Sequence, residues 1–312
     1  MKDAQFNKGV ILNVLSVVLN ACALVFSKLA MKSASPLIVM FIICMVSSIL
    51  SFLYIKRRGH RFSPNETKNI LPIASLNAMG MICLYSALSL LNPIVVGMVG
   101  RFYVVFATIL SVIVLGETMF AGEWALIGLA LLGTFLFVFH NVSQGIDYFG
   151  ITLGFSYTFL FAVSNLLVKK TVHRSSSVTI LFFNNLFGMA ACLIVAHFER
   201  VDILSAVHLP FVILAYIVTA GTITFLALSL FFDSFRFLSF RFSNMIRATS
   251  PLFVVLVAWP FFPMKLSTVN VLGGILLVGS IMVLTVKESK KHLSKNVVTT
   301  LNKSAQTNLR GQ

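Results

Sequence analysis

Long apolar runs broken by short polar links dominate the chain. Runs of membrane-spanning length fall at 9–30, 36–55, 70–91, 93–115, 122–140, 149–168, 178–197, 210–232, 239–262 and 269–286. The pattern predicts an all-α integral membrane protein with ten transmembrane helices. Two links, Asn92-Pro93 and Asp233 to Leu238, are short, but the stretches they interrupt are too long for single spans and carry polar breaks. The polar tail 287–312, rich in Lys, Asn, Thr, Ser and Gln, reads as a solvated end. The first span has the look of a signal sequence, yet nine more spans follow and Leu19-Asn20-Ala21-Cys22 is a poor cleavage site, so an uncleaved helix is expected.

The links set the orientation. With the N-terminus inside, eighteen Lys and Arg residues, among them Lys56, Arg57, Arg58, Lys169, Lys170, Arg236 and Arg241, collect on the cytoplasmic side. Only Lys28, Lys32, Arg200 and Lys265 fall opposite. This positive-inside bias places both termini in the cytoplasm of a multi-pass plasma (bacterial inner) membrane protein. Composition agrees: 58% of the 312 residues are hydrophobic and 11% charged, where a soluble domain carries about 25% charged. The net charge of +15 belongs to loops and tail, which points to the lipid bilayer and not to nucleic acid.

One charge defies the pattern. Arg101 lies about eight residues into the fourth run, roughly 12 Å deep in a ~30 Å hydrocarbon core. Arg247 lies as deep in the ninth run, at an offset of 146 residues (247 − 101). Gly128 and Gly274, and Gly133 and Gly279, keep that offset, while Lys28 answers Lys169 at 141 and the Ser33-Ala34-Ser35 after it answers Ser175-Ser176-Ser177 at 142. The halves 9–140 and 149–286 therefore read as one repeat used twice. Five spans per half is odd, so the second copy is inverted in the membrane. Such repeats place a substrate site near the midplane at their interface.

The motifs resemble a known family. Ser86-Ala87-Leu88 through Asn92-Pro93, then Ile113-Val114-Leu115-Gly116-Glu117, then Ile127-Gly128 to Gly133, looks like one EamA repeat. Ser243-Asn244 through Ser250-Pro251-Leu252-Phe253, followed by Gly273-Gly274 to Gly279, looks like another, and Ser27-Lys28 and Ser35-Pro36 fit the family's first span and turn. The resemblance is to the drug/metabolite transporter superfamily in its ten-helix, two-EamA-repeat form. It implies a central cavity lined by the fourth and ninth helices and substrates ranging from amino acids to drugs and nucleotide-like metabolites. The chain departs from the family pattern at Val104 or Val105, at Pro263-Met264, and at Ile43 and Asn184.

Two readings of the deep arginines stand side by side: a structural tie to carbonyls or the interface, or a pair facing one cavity and binding an anionic group. A guanidinium presents a planar fork of donors suited to carboxylate or phosphate. All nine acidic residues lie in loops, at the N-terminus or at span ends, so neither a neutralising carboxylate nor a buried proton relay is expected at Arg101 or Arg247. Tyr103 and Asn244 share helices with the arginines. Asn77, Tyr85 and Asn184, like Asn20, Asn165 and Thr249, are deep enough to line a cavity or to bond helix to helix. The glycines at 128, 133, 273, 274 and 279 are expected at close helix contacts. Lys28 and Lys169 are expected to snorkel. Cys22, Cys44, Cys83 and Cys192 read as small buried apolar residues.

No catalytic or metal-ligand motif appears, so no enzyme, metal or cofactor is expected. The functional expectation is a secondary transporter moving a small polar metabolite with an anionic group, such as an amino acid or phosphorylated compound, by alternating access. The alternative is a carrier of cationic or zwitterionic compounds, such as S-adenosylmethionine or drugs, with structural arginines. A non-transporting lipid-binding scaffold is a third class. A homodimer is compatible with the sequence.

Overall fold

A computed structural model describes residues 2–59, 64–91, 102–116, 120–138 and 147–258, with scattered positions at 96–100 and 260–283. Every regular element among them is helical. Arg101, most of the tenth predicted span and the tail lie outside the described residues.

The helices start and stop where local chemistry says they should. α1 (Lys2–Ala30) leads to α2 (Pro36–Arg57), which opens with Ser35 accepting from the Ile38 N–H and Pro36 in the first turn. α2 ends in Lys56 and Arg57, favourable charges at a helix C-terminus. α3 (Pro64–Leu90) follows. α4 (Phe102–Leu115) stops at Gly116, whose φ of +66° is a left-handed stop that a side chain disfavours. α5 (Ala121–Val138) closes the first half. In the second half, Asp147 caps α6 (Tyr148–Thr171), and α7 (Ser177–Glu199) ends at Arg200. A 3₁₀ turn (Ile203–His208) leads to α8 (Phe211–Ser234).

Six of these, α1, α2, α3, α6, α7 and α8, are long and apolar enough to cross a membrane, and α4 and the start of α5 are shorter apolar helices. At about 1.5 Å per residue, 22 residues of such a helix reach about 33 Å.

The expected ninth span is the main correction. It is two helices, α9 (Phe240–Arg247) and α10 (Ser250–Ala258), with a turn at Ala248 and Thr249 between them. Pro251 explains the break. A proline has no N–H to donate, and in a continuous helix it would clash with the carbonyl of the residue four back, which is Arg247. Ala248 and Thr249 instead close tight turns onto Met245 and Ile246 carbonyls.

Packing pairs the helices across the halves. α1 lies on α8 and α3 on α6, while α2 crosses α7 at the centre. α3 also packs on α7 and α2 on α8, and α4 meets α6 as α10 meets α1. The largest core cluster joins Ile70 and Ile73 of α3, Ala162 and Leu166 of α6, Ile180 of α7 and the rings of Phe231, Phe235 and Phe240. Outward-facing Ile11, Met79, Ile113, Phe198 and Leu256 are strongly exposed, as expected where acyl chains replace water.

Two of the glycines expected at close contacts, Gly128 and Gly279, make none. Gly128 and Gly279 are exposed, and nothing stands within 4 Å of a Cβ placed there. Tight contacts include Gly80, under the Phe161 ring at 2.7 Å, and Gly221, against Val46 at 2.9 Å. These glycines face neighbouring helices; the other two do not.

Candidate functional site

α9 and the turn after it carry the chemistry. Ser239 caps α9 by accepting from the Phe242 N–H at 3.2 Å, which fixes where the helix begins and so which side chains point inward. Asn244 and Arg247, three apart, share a face. Asn244 Nδ2 donates to the Phe240 carbonyl at 2.8 Å, and its Oδ1 accepts from the Tyr103 hydroxyl at 2.7 Å. That hydroxyl in turn accepts from Asn165 Nδ2 at 3.0 Å. One chain of hydrogen bonds thus ties α6, α4 and α9. Tyr103 and Asn244, the two residues expected beside the arginines, are hydrogen-bonded to each other.

Arg247 ends α9 beside this chain. Its guanidinium carbon lies 4.2 Å from the centre of the Phe231 ring, which α8 holds fully inside the core among Phe232 and Phe235. Among the described residues no carboxylate or carbonyl accepts a hydrogen bond from it. Two physical effects keep the charge tolerable there: the ring's negative face and the partial negative charge at the end of α9. The break adds something further. α10 starts at Ser250, three residues after Arg247, and the first-turn N–H groups of a helix have no acceptors within it. A cation and a helix N-terminus at one point suit an anionic group.

Asn77, Tyr85 and Asn184 are not drawn into this arrangement. They gather on α3 and α7: Asn77 Nδ2 meets Met81 Sδ at 3.5 Å, and Asn184 is buried. Tyr85 lines a cavity of about 10 Å³ with Leu37, Met81, Cys192 and Val195, space for a water at most. Cys44 and Cys192 are buried there as free thiols, and Cys22 and Cys83 are half-buried.

A family comparison now has something to explain. The EamA-like transporter family model matches twice, over residues 7–139 and 148–286. The chain belongs to the EamA-like transporter family. It is a multi-pass membrane protein of the drug/metabolite transporter superfamily, and the two matches divide it at the link before α6. No curated protein sequence is similar enough to count as a match. A solved crystal structure, 14% identical, superposes with a TM-score of 0.71 over 89% of this chain and 96% of its own. At that identity the likeness speaks for the fold alone.

Several functional groups escape a reading of the sequence. Phe231 is one of thirty phenylalanines, and nothing in the string marks it as the ring under Arg247. Asn13 of α1 donates to the Ser243 carbonyl at 3.0 Å and to Ser234 Oγ at 3.3 Å, pinning α1 to α8 and α9. Arg241, counted among the cytoplasmic loop charges, is buried in the first turn of α9, where its Nη1 meets Glu123 Oε2 at 3.1 Å. Lys169 does not snorkel. Its ammonium donates to the carbonyls of Phe235 and Leu238, the latter at 2.6 Å, and so caps the end of α8. Arg236 completes that corner, paired with Asp233 at 3.2 Å and donating to the Ser175 carbonyl at 3.0 Å. His173 stands nearby, outside the membrane spans. Its pKa is held below the usual value by partial burial and by the charges of Lys169 and Arg236.

Proposed function

We propose that this protein is a secondary transporter that moves a small polar metabolite with an anionic group by alternating access. Arg247 would bind that group, with Arg101 as its repeat-related partner. The observation that carries the reading is the position of Arg247: at the break between two half-helices, over Phe231, with no acceptor among the described residues. Discontinuous helices with a charge at the gap are how many transporters build a midplane site. The break is also the easiest point for α9 and α10 to move separately.

The architecture we infer is ten transmembrane helices in two inverted five-helix repeats, 9–140 and 149–286, with both termini and the 287–312 tail cytoplasmic. Packing supports it. Exchanging each helix for its counterpart turns the α1–α8 contact into α6–α3, α3–α7 into α8–α2, and α4–α6 into α10–α1. A two-fold relation between the halves predicts this set of pairs.

A second reading has its own support. Because the Phe231 ring already satisfies Arg247 in part, the arginine can be a structural tie in a carrier of cationic or zwitterionic compounds. A thermal-stability screen of the purified protein against amino acids, phosphorylated metabolites and organic cations separates the two. Stabilisation by anionic compounds, lost in Arg247→Gln, supports the first. Stabilisation by cations that survives Arg247→Gln supports the second.

A further inference from the structure

The junction between α5 and α9 holds an ion pair withdrawn from solvent. The Arg241 and Glu123 side chains are 3% and 7% exposed, with Nη1 3.1 Å from Oε2. The same carboxylate oxygen accepts from the Phe120 N–H at 2.9 Å, which fixes it at the start of α5. Behind the pair, Ile127 of α5 packs on Met245 of α9. The contact therefore joins the first half of the chain to the second. The loop charges place it at the cytoplasmic end of both helices.

Such a pair is a poor source of stability, because removing two charges from water costs about as much as their attraction returns. It is well suited to a reversible contact. When water enters between α5 and α9 both charges regain their hydration, so the closed and open arrangements lie close in free energy, as a two-state element requires. Arg241 also shares the short rigid helix α9 with Arg247, so displacing one displaces the other. The repeat makes the pair one-sided. At the offset of 146 that relates Arg101 to Arg247, Glu123 answers to Val269 and Arg241 to Val95. The corresponding positions toward the other face carry no charge.

We propose that the Glu123–Arg241 pair is the latch of the cytoplasmic gate, broken each time the site at Arg247 opens inward. The proposal rests on the alternating-access reading above, but its test needs no substrate. Thr249, in the break beside Arg247, is replaced by cysteine in the full chain, and labelling by a membrane-impermeant maleimide is followed in inside-out vesicles, with the chain lacking Thr249→Cys as background. With the pair intact, labelling is slow. Glu123→Gln should raise the rate at least about tenfold, because the closed arrangement loses its ion pair while the open one keeps the Arg241 charge hydrated. The charge exchange Glu123→Arg with Arg241→Glu should return it close to the parent rate. Where Glu123→Gln does not reach the membrane, Glu123→Asp carries the test, since the shortened side chain loosens the latch and must also speed labelling. Parent-rate labelling in the loosened variant overturns the latch and leaves the transport reading standing. Fast labelling combined with undiminished transport by Arg247→Gln would overturn the transport reading and leave the latch.

Discussion

Arg241 and Arg247 stand six residues apart on α9, and their surroundings differ in kind. Arg241 is sealed against a carboxylate, so its charge is answered inside the protein. Arg247 is half-buried over a ring, flanked by amides and a phenol that have already spent their hydrogen bonds on one another. A charge with a fixed partner is part of the structure and moves only when the structure does. A charge held by a ring and a helix end keeps its donors for something else. One helix thus carries an arginine paired with a carboxylate and an arginine held over a ring.

The largest effect that would break this contrast lies at Glu123. Glu123→Leu removes the carboxylate that faces the buried Arg241 charge and should cost about 3–5 kcal/mol, read as a fall in the thermal unfolding midpoint in detergent. Adding Arg241→Met should recover most of it. If Glu123→Leu unfolds like the parent, the pair is not sealed and the two arginines are alike. Next comes the ring: Phe231→Leu removes buried volume and the cation–π contact, for a loss of about 2 kcal/mol, whereas Phe231→Tyr should lose much less. Tyr103→Phe breaks the link between Asn165 and Asn244, and hydrogen bonds between membrane helices average well under 2 kcal/mol, so about 1 kcal/mol is expected.

The smallest effect concerns pH. His173 is held below its usual pKa, so the unfolded chain binds its proton more readily than the folded one. Stability should therefore fall as pH drops through the range just below the ordinary histidine value of about 6.5. Because His173 is exposed, the slope is shallow, and His173→Gln should flatten it in a pH series of unfolding midpoints.

Much of this architecture is legible in the string because the bilayer imposes it. A span must be long and apolar, and a charge inside one is an exception that announces itself, as Arg247 does. The repeat was legible through spacing, and the EamA motifs through their order. Contacts between distant residues were not. Nothing local distinguishes Arg241 from a loop cation, because its burial depends on Glu123, 118 residues away. Phe231 is marked only by where α8 places it. The break at Ala248 was within reach, since Pro251 removes a donor and in a continuous helix would clash with the Arg247 carbonyl, but a run of apolar residues invites one continuous helix. For Asn77, Tyr85 and Asn184 the sequence supplies a depth along the membrane normal but no direction around the helix axis.

The central claim is that Arg247 is kept for a substrate anion. The most direct measurement is flux in proteoliposomes of an anionic metabolite found by the stability screen, compared between the parent, Arg247→Gln and Arg247→Lys. The account predicts that Arg247→Gln loses at least about a hundredfold in flux, as expected where a charge-assisted, bidentate contact is removed. It also predicts that Arg247→Lys recovers only part of the loss, while both variants unfold within about 1–2 kcal/mol of the parent. Parent-like flux through Arg247→Gln would contradict it and leave Arg247 a structural tie.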